Sequence, residues 1–370
     1  MRYSFSTILL ILTCAVAAAQ SWRPTPTPND TLHSTQLLPD GSVAFRIYAP
    51  EAHTVSLFGD VPWRNPIVFN KNDDGVWEAN VKGFEAGIYR YHFIVDGVSV
   101  YDPKSELAGE TSALLRVEPD GDTFFSFKEA IPHGALAQRF YQSSVTGTSR
   151  RLHVWTPAGF EKMDEKLPVL YLIHGGGDTD NSWPGVGAAA NILDNLYADG
   201  KILPMVVVMP NGSIPHETLE GEVPVFEKDL MDCIIPFVED NYPVLTDASH
   251  RAIAGLSMGG LETLETLLDH YDCFDSFFIF SSGWFQAQKE TFEAYGKRVQ
   301  EVAEGINKHV RLLLFTQGGP EDIAYDNCKA MLSEMFDKNN IRYEYSEGPG
   351  GHTWVTWRRN LYEYAPRLFR

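Results

Sequence analysis

The stretch Gly255-Leu256-Ser257-Met258-Gly259 constrains this chain more than any other, because of what flanks it. It follows the strand-like Arg251-Ala252-Ile253-Ala254 and precedes the helix-like Leu261-Glu262-Thr263-Leu264-Glu265-Thr266-Leu267-Leu268. A turn that tight from strand to helix brings backbones into close approach, so small residues must flank the serine, and the strain lifts its hydroxyl above the end of a sheet. The new helix points its N-terminus at that oxygen, where the dipole and the free N–H of Met258 can stabilise negative charge. The competing reading is a glycine-rich turn with an incidental serine; the strand-turn-helix setting favours a nucleophile elbow.

An elbow of this kind is followed by an acid and then by a histidine, each on a loop after a later strand. The apolar run Arg311-Leu312-Leu313-Leu314-Phe315-Thr316 reads as a buried parallel strand, and the loop after it carries Gly318-Gly319-Pro320-Glu321-Asp322. Asp322 is the candidate acid. Its alternative role is an N-cap for a helix running through Ala330 and Met331 to about Phe336, and Glu321 or Asp326 could take its place. Next, Ile341-Arg342-Tyr343-Glu344-Tyr345 alternates like an edge strand and delivers Gly348-Pro349-Gly350-Gly351-His352-Thr353-Trp354. His352 is the candidate base, in a glycine-rich loop after the last strand.

A fourth element lies upstream, where Leu167-Pro168-Val169-Leu170-Tyr171-Leu172-Ile173 reads as a buried strand ending in His174-Gly175-Gly176-Gly177. Glycines there leave backbone N–H groups bare. One of them, assigned to Gly176, can join the Met258 N–H in an oxyanion hole. A plain β-turn is the competing reading, and consistency among the four elements weighs against it.

From about Ile131 to the C-terminus these motifs resemble the esterase D-like or "putative esterase" family of α/β-hydrolases, which includes feruloyl and acetylxylan esterases grouped as family 1 carbohydrate esterases. Further matching stretches are Pro132-His133-Gly134, Ile192-Leu193-Asp194-Asn195-Leu196 and Val206-Val207-Val208-Met209-Pro210-Asn211-Gly212. The resemblance implies a mostly parallel sheet wrapped by helices, with Ser257, Asp322 and His352 as the triad. The adjacent Glu321 makes the acid loop the least distinctive of the matches.

At 370 residues the chain exceeds the usual single domain, so two domains are expected. A formal charge of −19 would repel phosphate backbones and anionic membranes, which argues against a nucleic-acid partner. Met1-Arg2-Tyr3, the apolar Ile8-Leu9-Leu10-Ile11-Leu12 and Ala17-Ala18-Ala19 read as a secretory signal peptide over 1–19, and a spacer follows over 20–30. The apolar stretch is too short to span a bilayer, so a soluble protein exported to the periplasm or outside is expected. Cys233, Cys273 and Cys328 would remain after cleavage. They are an odd set without metal-ligand spacing, and a disulfide framework is not expected.

Residues 31–119 read as all-β. Short alternating runs, Val43-Ala44-Phe45-Arg46-Ile47-Tyr48, Thr54-Val55-Ser56-Leu57-Phe58 and Ile88-Tyr89-Arg90-Tyr91-His92-Phe93-Ile94-Val95, are punctuated by Asp40-Gly41, Asp74-Gly75 and Asp96-Gly97, the pattern of a small sandwich. The stretches Phe45-Arg46-Ile47-Tyr48-Ala49-Pro50, Asp74-Gly75-Val76-Trp77 and Tyr91-His92-Phe93-Ile94-Val95-Asp96-Gly97 resemble the immunoglobulin-like early-set module of the family 48 carbohydrate-binding-module type. Trp63 and Trp77 could stack on a sugar ring or belong to the core. A linker over 120–130 leads into an α/β-hydrolase domain over 131–370. Its coarse pattern includes a helix around Ile192–Ala198, a strand at Met205–Met209 and a helix around Lys228–Glu239, the alternation of a parallel sheet.

The expected chemistry is ester hydrolysis through an acyl-enzyme on Ser257, needing neither metal nor cofactor. With export and a sugar-module-like domain, the expected substrate is a plant cell-wall ester, a feruloylated polysaccharide or a small phenolic ester. Trp183, Trp284 and Trp354, each on a loop after a strand, are candidates for an apolar slot or equally for packed aromatics. Acetylxylan esterase and siderophore trilactone esterase are the enzymatic alternatives, and an inactive hydrolase serving as a glycan-binding module is the non-enzymatic one. A catalytic domain starting near Glu129 is expected to act on small esters by itself, since every candidate group lies at or after His174.

Overall fold

The computed structural model describes residues 25–62, 67–121, 123–215 and 218–370. The expected leader, the first residues of the spacer and Trp63 lie outside the described residues. Among the described residues no helix is long and apolar enough to cross a membrane, and Cys233, Cys273 and Cys328 are free.

Alternation of inward aromatic and outward polar residues builds the N-terminal part as two antiparallel sheets. In one, the strands lie in the order Thr35–Leu37, Val43–Tyr48, Val76–Val81, Asn70–Lys71; in the other, Val55–Gly59, Gly87–Val95, Ala113–Val117, Leu107–Ala108, with Val98–Val100 folded back on Gly87–Val95. Val43, Phe45, Tyr91, Phe93 and Leu115 fill the space between them. Asp96 and Gly97 both take positive φ, 47° and 84°, as a two-residue hairpin turn requires. Trp77 is half-buried against this core, and its indole N–H donates to the Ala49 carbonyl at 3.0 Å.

An eight-stranded sheet forms the second part. Numbered within this sheet, its strands are β1 (Ala135–Ser143), β2 (Thr148–Thr156), β3 (Val169–Ile173), β4 (Val206–Pro210), β5 (Arg251–Leu256), β6 (Ser276–Phe280), β7 (Leu312–Gln317) and β8 (Glu344–Glu347), in the order β1-β2-β4-β3-β5-β6-β7-β8. From β4 to β8 all pairs are parallel. The continuous apolar runs of β3, β4, β6 and most of β7 suit strands covered on both faces. Cover comes from α1 (Ala189–Ala198), α2 (Leu219–Asp229), α3 (Ile235–Asn241), α4 (Met258–His270), α5 (Lys289–His309), α6 (Tyr325–Met331) and α7 (Trp354–Tyr364). In α5, Phe292, Val299, Ala303 and Ile306 recur at helical spacing and are its buried face.

Three expectations shift. The antiparallel β1–β2 hairpin was not anticipated; it turns at Gly147, φ 69°. The expected edge strand starts later, at Glu344, because Ile341 and Arg342 are tied by their N–H groups to Phe336 and Asn307 instead. The helix expected around Lys228–Glu239 is interrupted by a wide turn at Leu230–Ile234, where Pro236 has no N–H for the carbonyl four residues back.

The two parts are fastened by buried polar contacts. Arg358 of α7, 1% exposed, donates Nη1 to the carbonyls of Ile88 and Val186 at 3.2 and 2.7 Å and lies over the Phe125 ring at 5.2 Å. Burial, only partly countered by Tyr89 and the Asp60 carboxylate, pushes its pKa down to about 10. The linker is pinned as well: Asn195 Nδ2 donates to the carbonyls of Phe124 and Ser126, both at 3.0 Å, and Phe125 is buried.

Glu262 of α4 is fully buried, and neither of its carboxylate oxygens has a hydrogen-bond partner. Burial, reinforced by the Glu222 carboxylate and only partly countered by Arg150, raises its pKa well above the ordinary glutamate value. The folded protein therefore holds a proton that the unfolded chain releases, and stability falls as pH rises from the unfolded toward the folded pKa. Glu262→Gln is expected to remove that slope. Its Tm should exceed that of the wild type by a few degrees at pH 8, about 1 kcal/mol in a chain of this size, with the gain shrinking toward pH 4.5. Parallel Tm profiles for the two proteins across that range would show that Glu262 is not the group responsible.

Candidate active site

β5 runs straight into α4 through Ser257, whose backbone sits at φ 52°, ψ −115°, a conformation that L residues rarely adopt. The flanking glycines have no room for side chains. A Cβ on Gly255 would fall 1.9 Å from the Gly259 carbonyl oxygen, and one on Gly259 would fall 2.3 Å from that of His174. The Ser257 N–H donates to the Phe280 carbonyl at 2.9 Å, and Ser282 Oγ donates to the Ser257 carbonyl at 2.7 Å, fixing the turn against β6.

The loops after β7 and β8 meet above this serine. His352 Nε2 lies 2.9 Å from Ser257 Oγ, and its Nδ1 lies 2.7 Å from Asp322 Oδ1. Close backbone contact brings the two loops together: the Gly351 N–H donates to the Gly318 carbonyl at 2.8 Å, and a Cβ on Gly318 would strike Gly351. Asp322 is 3% exposed, whereas Glu321 and Asp326 are exposed. Burial alone would raise the Asp322 pKa. Hydrogen bonds from His352, Ser281 and the N–H groups of Ala324 and Gly318 outweigh it and hold the carboxyl below its ordinary value. The bond from the Ala324 N–H, 3.0 Å, belongs to the turn before the helix Tyr325–Met331, whose N-cap is Ala324 without a side-chain cap, so Asp322 does not take the capping role that the sequence left open.

Beside the serine, the loop after β3 carries the glycines. A Cβ on Gly175 would lie 3.2 Å from Ser257 Cβ, and one on Gly176 would lie 3.8 Å from Met258 Cβ, so the two segments run side by side. Among the described residues, neither the Gly176 nor the Met258 N–H has a hydrogen-bond acceptor. Both are available to an oxyanion.

Of the tryptophans proposed for a slot, Trp183 and Trp354 are packed against each other edge to face at 5.1 Å, with 1% and 4% exposure. Trp183 also donates to the Ile173 carbonyl at 3.1 Å. Trp354 begins α7 and is not on a loop. Trp284 is as buried as these, 3% exposed, and stacks on Tyr295 at 4.4 Å; with Leu261, Phe285 and Phe292 it borders an apolar crevice of only about 20 Å³, so it too is a packed aromatic. A separate cavity of about 370 Å³ opens between the two parts, with Asp60, Tyr89 and Arg90 on one side and His352, Trp354 and Arg358 on the other.

Sequence reasoning missed three supports. Trp357 meets His352 edge to face at 5.1 Å and donates its indole N–H to Ser281 Oγ at 3.0 Å. Its position one turn into the helix after His352 was the available signal. His174 accepts from the Gly212 N–H at 2.9 Å through Nε2, leaving Nδ1–H to donate to the Gly175 carbonyl at 2.8 Å, a brace under the glycine loop. The third, Arg90, comes from the N-terminal part and bonds Asp178 in that loop.

A parallel-centred sheet whose middle strand ends in an elbow serine, with an acid on the loop after β7 and a histidine on the loop after β8, defines an α/β-hydrolase. The family described as "Putative esterase" matches residues 143–368, and the chain belongs to it. Carbohydrate-binding module 48 (isoamylase N-terminal domain) matches residues 32–111. The chain is similar to the endo-1,4-beta-xylanase/feruloyl esterase of Xylanibacter ruminicola, 32% identical over 90% of this chain and 45% of that one, so it spans under half the length of that curated relative. A solved ferulic acid esterase superposes with a TM-score of 0.56 at 25% identity, covering 64% of this chain and 97% of that one. The enterobactin esterase of Shigella flexneri, solved in the presence of enterobactin, superposes with 0.66 at 18% identity over 90% of this chain and 95% of its own, a likeness of fold.

Proposed function

We propose that the protein is an exported serine esterase that releases hydroxycinnamic acids from plant cell-wall polysaccharide esters. The observation that carries the reading is the unbroken chain of hydrogen bonds from Asp322 through His352 to Ser257. In this reading His352 takes the proton of Ser257 as its oxygen attacks the ester carbonyl, and Asp322 orients and stabilises the imidazolium. The N–H groups of Met258 and Gly176 hold the oxyanion. The sugar alcohol leaves with the proton from His352, and water then releases the acid by the same steps. The feruloyl assignment is supported by the xylanase/feruloyl esterase relative and the ferulic acid esterase fold neighbour.

Purified protein assayed on methyl ferulate, acetylated xylan and a catecholate trilactone tests this; preference for either of the last two would overturn the assigned acyl group.

A further inference from the structure

The loop bearing Gly175, Gly176 and Gly177 continues directly into Asp178, whose side chain is only 6% exposed. Its carboxylate is bonded by Arg90, a residue of the N-terminal strand Gly87–Val95. Arg90 is itself held in place by Asp60, with Nε–Oδ2 at 2.6 Å and Nη2–Oδ1 at 3.2 Å. A second grip lies next to the first: Glu110, also N-terminal, accepts from Thr179 Oγ1 at 3.2 Å and from Arg151 Nη2 at 2.7 Å, while Arg151 chelates the buried Asp180. The loop after β3 is thus fixed by its own domain through Asp180 and by the N-terminal domain through Asp178 and Thr179.

Two physical consequences follow for a hole built on Gly176. Backbone donors act on an oxyanion only when they are held in place before charge develops, and a loop of three glycines has little stiffness of its own. A buried carboxylate two residues away would also oppose that charge if it lacked a cation, and Arg90 supplies one.

We propose that Arg90 is a positioning residue for the reaction: by pairing with Asp178 it holds the oxyanion-hole glycines in place and neutralises the carboxylate beside them, making the N-terminal domain part of the catalytic apparatus. This rests on Ser257 being the nucleophile. It replaces the expectation that a domain starting near Glu129 acts independently on small esters, because such a fragment leaves Asp178 without its cation.

The test uses the full chain and two readouts, the rate of fluorophosphonate labelling of Ser257 and the kinetics of methyl ferulate hydrolysis. Arg90→Met is expected to slow labelling and lower kcat by roughly ten- to a hundredfold, with KM within about twofold, since the contact serves the transition state and not substrate binding. Asp178→Asn, which loses the tether but also the opposing charge, should fall between Arg90→Met and wild type. The double variant should match Asp178→Asn, because Arg90 then has nothing to neutralise. Arg90→Lys, which keeps a cation for Asp178, should recover part of the loss. Wild type labelled at Ser257 with Arg90→Met, or Asp178→Asn where the methionine variant does not fold, reacting at the same rate overturns the positioning role alone, as does a rise in KM with kcat unchanged. A wild type that is not labelled at Ser257 overturns the nucleophile reading and this one with it.

Discussion

Ser257→Ala is expected to lower kcat for every ester by roughly a thousandfold or more, leaving the residual rate that an oxyanion hole and binding provide without a nucleophile. The reason is local. Ser257 Oγ is the atom that His352 Nε2 faces at 2.9 Å, and the glycine loop through Gly175 and Gly176 runs beside Ser257 and Met258. Folding should survive the change, since an alanine keeps the Cβ and the turn is fixed by backbone and Ser282 contacts. Substrate should still bind, so the loss is confined to kcat. Fluorophosphonate labelling followed by peptide mass mapping gives an independent reading: wild type should carry the label at Ser257 and the alanine variant none. Activity near the wild-type level would end the triad assignment.

The second large effect separates two neighbouring carboxylates. Asp322→Asn is expected to lower kcat by about a thousandfold or more, because an amide cannot stabilise the imidazolium and offers a donor where His352 Nδ1–H needs an acceptor. Glu321→Gln should stay within about threefold, since that side chain points to solvent and has no contact with His352. The acid also predicts a pH effect with a definite sign. The Asp322 carboxyl is held below its ordinary value in the folded protein, so the stability it contributes is present above the unfolded pKa and is lost as pH falls through the folded one. Asp322→Asn should therefore show less acid destabilisation than wild type between about pH 4 and the folded pKa. If Glu321→Gln proves the more damaging change in turnover, the acid has been misassigned.

Much of this site was legible in the sequence because its parts are local. The elbow is a strand, a serine between glycines and a helix, all within a few residues. The strand runs ending in the Gly175 and Gly318 loops are apolar enough to mark buried parallel strands. Asp322 was separable from Glu321 only in three dimensions, where burial and the Ser281 and Gly318 contacts pick one carboxylate. Trp183 and Trp354 show the opposite limit: a tryptophan after a strand reads the same whether it walls a slot or packs on another tryptophan. The β1–β2 hairpin was missed because half of β1 is solvent-exposed, with Leu136 and Phe140 at 42% and 63%, so its pattern does not mark a core. Contacts such as Arg90 with Asp178 join residues 88 positions apart and have no local signature.

The backbone of Ser257 bears on how this protein can be improved. A residue at φ 52°, ψ −115° costs on the order of 1–3 kcal/mol relative to glycine, which adopts such angles freely. Laboratory evolution that rewards heat resistance alone will therefore favour Ser257→Gly, a more robust but inert molecule. Screens on this scaffold must demand turnover in every round, and the same substitution offers a ready inactive reference for measuring how much robustness the working enzyme forgoes.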